Sequence, residues 1–446
     1  MATLPSETED VGQPLPLLDR PISMGWCVLG WLGATAIFVG LSRLMGGPAL
    51  TDSSQSTYAT WAIAHGHPSC AYGAWGFSGV APLYPLLSAG VAAIAQIGHG
   101  VPFPTSSALG HNCSTAFRAM NHWFEPSKAV APTIHIGYLS WLALMAGVVA
   151  VMRSYGRGRC GWELVTLGVV ACAPSVLMPL ISDFHPEDLL ATGLALCGLA
   201  LALRSRWVAA GILFGLAITT QQFAILIFAP LLVIAPAKHR LQFLGAAVAA
   251  AAAIIVPMLV ITQGRMFDAI SGAGATPSVG TTALAKLELH GPPLFFVARL
   301  LPIAMAMALA IVCVRRSRER IFEPVALLAL LATSLSFRLL LEINLFGYYF
   351  SAVTVMLIVL AGLRRRFTVP LIIWLVALAV TYPPGSWLNP PFFQIAPIWV
   401  QVLLTLSAFL LSATPLWRAM RAPDAESKSA QIPGHQRLEG SGPAVS

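Results

Sequence analysis

The sequence predicts an all-α protein: a polytopic membrane helix bundle of about twelve spans, thirteen on the alternative count, with a long first extracytoplasmic loop. Three observations predict it. Of 446 residues, 57% are hydrophobic and only 10% are charged, whereas soluble chains carry about a quarter charged residues. Runs such as "LGAAVAAAAAIIVPMLVI" and "VPLIIWLVALAVTY" approach the roughly 20 helical residues that a hydrocarbon core requires. The turns between such runs alternate in charge. "RSYGRGR" (153–159), "RSR" (204–206), "AKHR" (237–240), "RRSRER" (315–320), "RRR" (364–366) and "RAMR" (418–421) are basic. "SDFHPED" (182–188), "TTQQ" (219–222), 263–292, "EIN" (342–344) and "YPPGSWLNPP" (382–391) hold few Lys or Arg. The basic set belongs in the cytoplasm by the positive-inside rule.

In chain order, residues 1–21 form an acidic cytoplasmic tail and 22–421 the transmembrane domain. The first apolar run, Pro21 to Met45, is too long for a signal-peptide core, and the residues before it (Glu7, Glu9, Asp10, Asp19) are acidic where a signal is basic. Further runs cover 131–152, 163–181, 188–203, 206–220, 222–236, 241–262, 293–314, 322–341, 345–363, 367–382 and 396–416. Residues 80–97 are apolar but interrupted by Pro82 and Pro85. If 80–97 crossed and the N-terminus were inside, the arginines of 153–159 would fall outside. Taking 80–97 as a segment that does not cross makes 46–130 one outer loop. Both termini then lie in the cytoplasm of a multi-pass plasma-membrane protein. The thirteen-span alternative puts the N-terminus outside. Residues 422–446, rich in Pro, Gly, Ser and charge, form a disordered cytoplasmic tail.

The net charge of +8 does not point to nucleic acid, because the basic residues sit in short clusters between apolar runs. Cys70 and Cys113 share the outer loop, as a disulfide or as two free thiols. Cys27, Cys160, Cys172, Cys197 and Cys313 read as small packing residues. None of the cysteines shows metal-ligand spacing.

Candidate chemistry collects on the outer side. Asp52 follows the first span directly, in "TDSSQSTYATWAIAHGHPSC" (51–70). One reading makes Asp52 or Ser53 the N-cap of a helix over 54–65, with Tyr58, Trp61, Ala62 and His65 on one face. The other gives Asp52 a chemical role. Asp183, His185, Glu187 and Asp188 fall within seven residues, where Glu187 and Asp188 either favour a helix N-terminus or bind a ligand. One histidine among three acids, without a D-x-D pair, specifies no metal, although a divalent ion stays open. Arg338 lies near the outer edge of its span, where an unpaired guanidinium is costly, and Glu342 stands four residues on as a partner.

The order of parts resembles the GT-C superfamily of integral-membrane glycosyltransferases. An outer-face acid is followed by Tyr58 six residues later, then "AIAHGHP", then "PLYP" (82–85). The resemblance implies that Asp52 is the catalytic general base on an acceptor hydroxyl. The stretch 182–234, with its polar turn, arginine turn and "AAGILFGLAITTQQ" helix, is similar to actinobacterial, polyprenyl-phosphomannose-dependent members of the family 87 type. It implies that Asp183, His185, Glu187 and Asp188 contact substrate. Where such relatives often carry lysine, this chain has Gln221 and Gln222, which offer only neutral hydrogen bonds. "FRLLLEINLFGYYF" (337–350) is similar to a late-helix motif in which an arginine grips the donor phosphate. That assigns Arg338, Glu342, Tyr348 and Tyr349 to the substrate site.

The resemblance implies transfer of mannose, or another pentose or hexose, from a polyprenyl-phosphate donor to a cell-envelope glycan or lipid acceptor at the outer membrane face. It implies no resident cofactor and no nucleic-acid partner. Two other classes remain: a secondary transporter, which would place polar groups and broken helices at the midplane in two related halves, and a non-catalytic membrane assembly protein.

Overall fold

A computed structural model describes residues 18–45, 81–99, 130–156, 160–181, 184–272, 293–294, 296–342, 345–382 and 397–421, together with 56, 59–60, 62–64 and 66–72. Among the described residues the chain is helical, with no strand. Seven helices are long and apolar enough to cross a membrane: Met24–Leu44, Gly137–Ser154, Pro186–Leu203, Ala237–Ile261, Phe296–Arg316, Pro324–Leu341 and Ile398–Arg421. An eighth candidate is broken: Gly161–Cys172 and Pro174–Leu180 meet at 55°. The sequence reads this stretch as one continuous run. Pro174, which lacks an amide hydrogen and crowds the preceding turn, accounts for the bend.

Five apolar helices are shorter: Leu83–Ile94, Trp207–Thr220, Gln222–Ile234, Gly347–Leu363 and Val369–Thr381. At 1.5 Å per residue they span roughly 15–25 Å, less than a core of about 30 Å. The apolar runs are therefore where the sequence puts them, but several fall short of full spans.

The interior follows from residue size. Every residue of Ser351–Leu363 is buried, as expected for a helix apolar on all sides. The Val130–Ser154 helix packs on Pro186–Leu203 through Gly147 and Gly193. A Cβ on Gly147 would stand 2.6 Å from the Gly193 carbonyl oxygen, and one on Gly193 would meet the Ala143 backbone. Only glycine lets two backbones approach so closely, the small-residue packing that membrane helices use. Ala237–Ile261 instead turns Leu241, Val248, Val256 and Val260 outward, a face suited to lipid.

Away from the site, Glu163 is fully buried and accepts from Arg153 Nε at 3.1 Å and Trp31 Nε1 at 3.1 Å. This network ties the first helix to the end of Val130–Ser154 and the start of Gly161–Cys172. Cys70 is disulfide-bonded. Cys113, which the sequence places in the same loop either as its disulfide partner or as a second free thiol, lies outside the described residues. Cys27, Cys172, Cys197 and Cys313 are free thiols.

Within the helix expected over 54–65, positions 56, 59–60 and 62–64 are helical. Ser56, Ala59, Thr60 and Ala62 are buried, so this stretch packs inward. Thr60 Oγ1 lies 2.7 Å from Ser88 Oγ, which joins it to the Leu83–His99 helix.

Candidate active site at one end of the bundle

Helix reversals bring the polar turns together. Pro186–Leu203 runs from His185 to Arg204, and Trp207–Thr220 returns to Gln221. Pro324–Leu341 ends at Glu342, and Ser351–Leu363 leaves from the Tyr348–Tyr349 turn toward Arg364. One end of these helices thus holds His185, Gln221, Glu342 and the tyrosines. The arginine turns occupy the other end, about 27 Å away along an 18-residue helix.

The first part of the site is acidic. Glu187 and Asp188 occupy the first turn of Pro186–Leu203, with Pro186 opening the helix. A carboxylate there is stabilised by the unpaired amides and the positive end of the helix dipole. Both are nonetheless 1% exposed, so local capping alone does not account for them. Buried carboxylates need partners. His185 Nδ1 stands 2.8 Å from Glu187 Oε1, and Gln221 Nε2 donates to Asp188 Oδ1 at 2.8 Å. Gln221 Oε1 also accepts from the Gln222 amide at 3.1 Å, which fixes the amide orientation. The turn before the helix is strained: Phe184, a buried aromatic residue, holds φ at +41°. Bulky side chains avoid that region, and such outliers cluster at functional sites.

The second part is cationic. Glu342, 3% exposed, accepts from Arg338 Nε at 3.2 Å and from Arg299 Nη1 at 3.2 Å. Two guanidinium groups share one carboxylate. Among the described residues Arg338 bonds Glu342 through Nε alone, which leaves its two terminal nitrogens for another acceptor. The Arg338 guanidinium lies over the Tyr349 ring at 4.7 Å and the Phe223 ring at 5.3 Å. These contacts hold the charge in a low-dielectric setting. Arg299 sits in a single π-helical stretch, Phe296–Leu300, directly before the long helix; such turns recur at functional sites.

Aromatic rings join the two parts. His185 stacks on Tyr348 at 4.3 Å, and Tyr348 meets Tyr349 edge-on at 4.6 Å. Phe346 stacks on Tyr348 at 5.8 Å.

Of the residues singled out from sequence, His185, Glu187, Asp188, Gln221, Gln222, Arg338, Glu342, Tyr348 and Tyr349 gather at this end of the bundle. Asp52, Tyr58 and Asp183 lie outside the described residues. Among the described residues, no three His, Cys, Asp or Glu side chains are grouped to hold a metal ion.

Sequence reasoning missed Arg299 and Phe223. Arg299 had a readable signal, since it is a lone charge inside an apolar run. Phe223 is indistinguishable from any core phenylalanine in the sequence.

Against known families, residues 122–342 match the model described as Glycosyltransferase family 87. The matched stretch contains His185, Glu187, Asp188, Gln221, Arg299 and Arg338 and ends at Glu342. A comparison with curated proteins finds no match.

Proposed function

We propose that this multi-pass membrane protein, whose residues 122–342 match the glycosyltransferase family 87 model, is a glycosyltransferase that draws on a polyprenyl-phosphate sugar. The transferred group is mannose or another hexose or pentose, and the acceptor is a glycan or lipid of the cell envelope. The observation that carries the reading is the joining of two arginines and two buried carboxylates by the Tyr348–Tyr349 turn. A sugar phosphate has a matching polarity, with an anionic phosphodiester at one end and hydroxyl donors at the other.

In this mechanism Arg299 and Arg338 hold the donor phosphate. The lipid chain reaches them sideways through the bilayer, so no nucleotide-binding domain is needed. An acceptor hydroxyl attacks the anomeric carbon as the bond from that carbon to the phosphate oxygen breaks. The electron pair leaves on the polyprenyl phosphate, whose charge the guanidinium groups stabilise. The hydroxyl proton passes to Asp52, acting as general base. Attack opposite the leaving group inverts the anomeric configuration.

The reaction needs no cofactor, because two fixed cations supply the charge that a divalent metal would otherwise bring. The site end faces outward across the plasma membrane, and the arginine turns and both termini face the cytoplasm.

The test is transfer by the purified protein in lipid nanodiscs. Radiolabelled polyprenyl-phosphate hexoses and pentoses are supplied with an envelope lipid and glycan extract. Label is expected in the extract from at least one lipid donor and from no nucleotide sugar. Direct use of a nucleotide sugar, with every lipid donor inert, would overturn the reading.

A further inference from the structure

Among the described residues, two buried polar groups beside the site have no hydrogen-bond partner. Glu187 Oε1 is engaged by His185, but Oε2 has no hydrogen-bond partner among the described residues. The Tyr84 hydroxyl, on a side chain only 3% exposed, has none either. Tyr84 is close enough to Glu187 to feel its charge, yet the two do not bond to each other. Protein interiors pair the large majority of such groups, and each one left dry costs about 1–3 kcal/mol.

Both groups are rigidly placed. Tyr84 lies in the first turn of Leu83–His99, between Pro82 and Pro85, and the next turn is held by the Thr60–Ser88 hydroxyl contact. Glu187 is held by His185, which stacks on Tyr348. Neither can easily turn away to find water.

Their hydrogen-bonding senses are complementary to one kind of guest. A carboxylate oxygen only accepts, whereas a phenol also donates. A hydroxyl placed between them donates its proton to Glu187 Oε2 and accepts from Tyr84. We propose that Tyr84 and Glu187 form the subsite that reads a ring hydroxyl of the transferred sugar. This rests on the donor reading above. His185, Tyr348 and Tyr349 link the subsite by successive ring contacts to Arg338. A donor whose phosphate sits on the arginines therefore has its sugar directed toward Glu187.

The test separates the sugar from the phosphate. Binding of plain polyprenyl phosphate, and of polyprenyl phosphate carrying a panel of hexoses and pentoses, is measured on the full chain in nanodiscs. Wild type is expected to prefer one glycosylated lipid over the plain one by roughly tenfold or more, the scale of one hydrogen bond to a charged group. Tyr84→Phe and Glu187→Gln should each cut that preference to about twofold or less, and Tyr84→Phe should leave plain-lipid binding unchanged. Tyr84→Phe removes a partnerless hydroxyl, so the ligand-free protein should be no less heat-stable. Preference kept in both variants would overturn the subsite while leaving the donor reading intact. Absence of plain-lipid binding in wild type would defeat the donor reading and, with it, this subsite.

Discussion

Asp52→Asn is expected to lower transfer by roughly a hundredfold or more, the usual scale for losing a general base. The change is nearly isosteric. Asparagine caps a helix about as well as aspartate, so the thermal unfolding temperature should hardly move. Asp52→Ala should be at least as inactive and should also lose about 1 kcal/mol of cap stability. The pair of variants separates two roles for one residue. A cap tolerates asparagine and suffers from alanine, whereas a base is lost in both. The readout is sugar transfer in nanodiscs, with unfolding of each variant followed in parallel. Wild-type turnover in the asparagine variant would make Asp52 a cap and move the search for a base to Asp183, His185 and Glu187.

Arg338→Lys should weaken donor use by roughly tenfold to a hundredfold, seen mainly as a raised KM for the lipid donor. Lysine keeps the positive charge but not the planar fork. In the native site Nε binds Glu342 at 3.2 Å while the terminal nitrogens remain for a phosphate. A single ammonium cannot do both with the same geometry. Glu342 would still be held by Arg299 at 3.2 Å, so the fold should tolerate the change. Normal donor kinetics in the lysine variant would make Arg338 a structural partner of Glu342. Arg299→Lys provides the matching test on the other side of the carboxylate.

The helical, membrane-embedded character was legible because it is written in runs of apolar residues, which need no tertiary information. Where those runs bend was less so. Pro174 breaks the run 163–181 by 55°, although Pro179 and Pro230 lie inside helices that continue past them. A proline in an apolar run thus marks a place where a helix can yield, and packing decides whether it does.

Many of the residues that gather at this end, such as His185, Glu187, Asp188, Gln221, Arg338 and Glu342, could be picked out because they are polar groups at the ends of apolar runs, whereas Arg299 and Phe223 were passed over. The assembly of the site was not legible. Gln221 reaches Asp188 across 33 positions and Arg299 reaches Glu342 across 43, separations that only helix reversals convert into contact. Arg338–Glu342 was visible because four residues on a helix is one turn. Glu187 and Asp188 show that a bland reading and a chemical one are compatible. Both occupy the first helical turn, and both are buried among charged and aromatic neighbours that capping does not require.

The most direct test is a structure of the full chain in nanodiscs with polyprenyl phosphate. The proposed donor site predicts phosphate density within hydrogen-bonding distance of Arg299 and Arg338, beside Tyr349. Its lipid chain should leave toward the bilayer. Phosphate density at the opposite, arginine-turn end of the bundle, with the Arg299–Glu342–Arg338 cluster unchanged and unoccupied at saturating lipid, would contradict it.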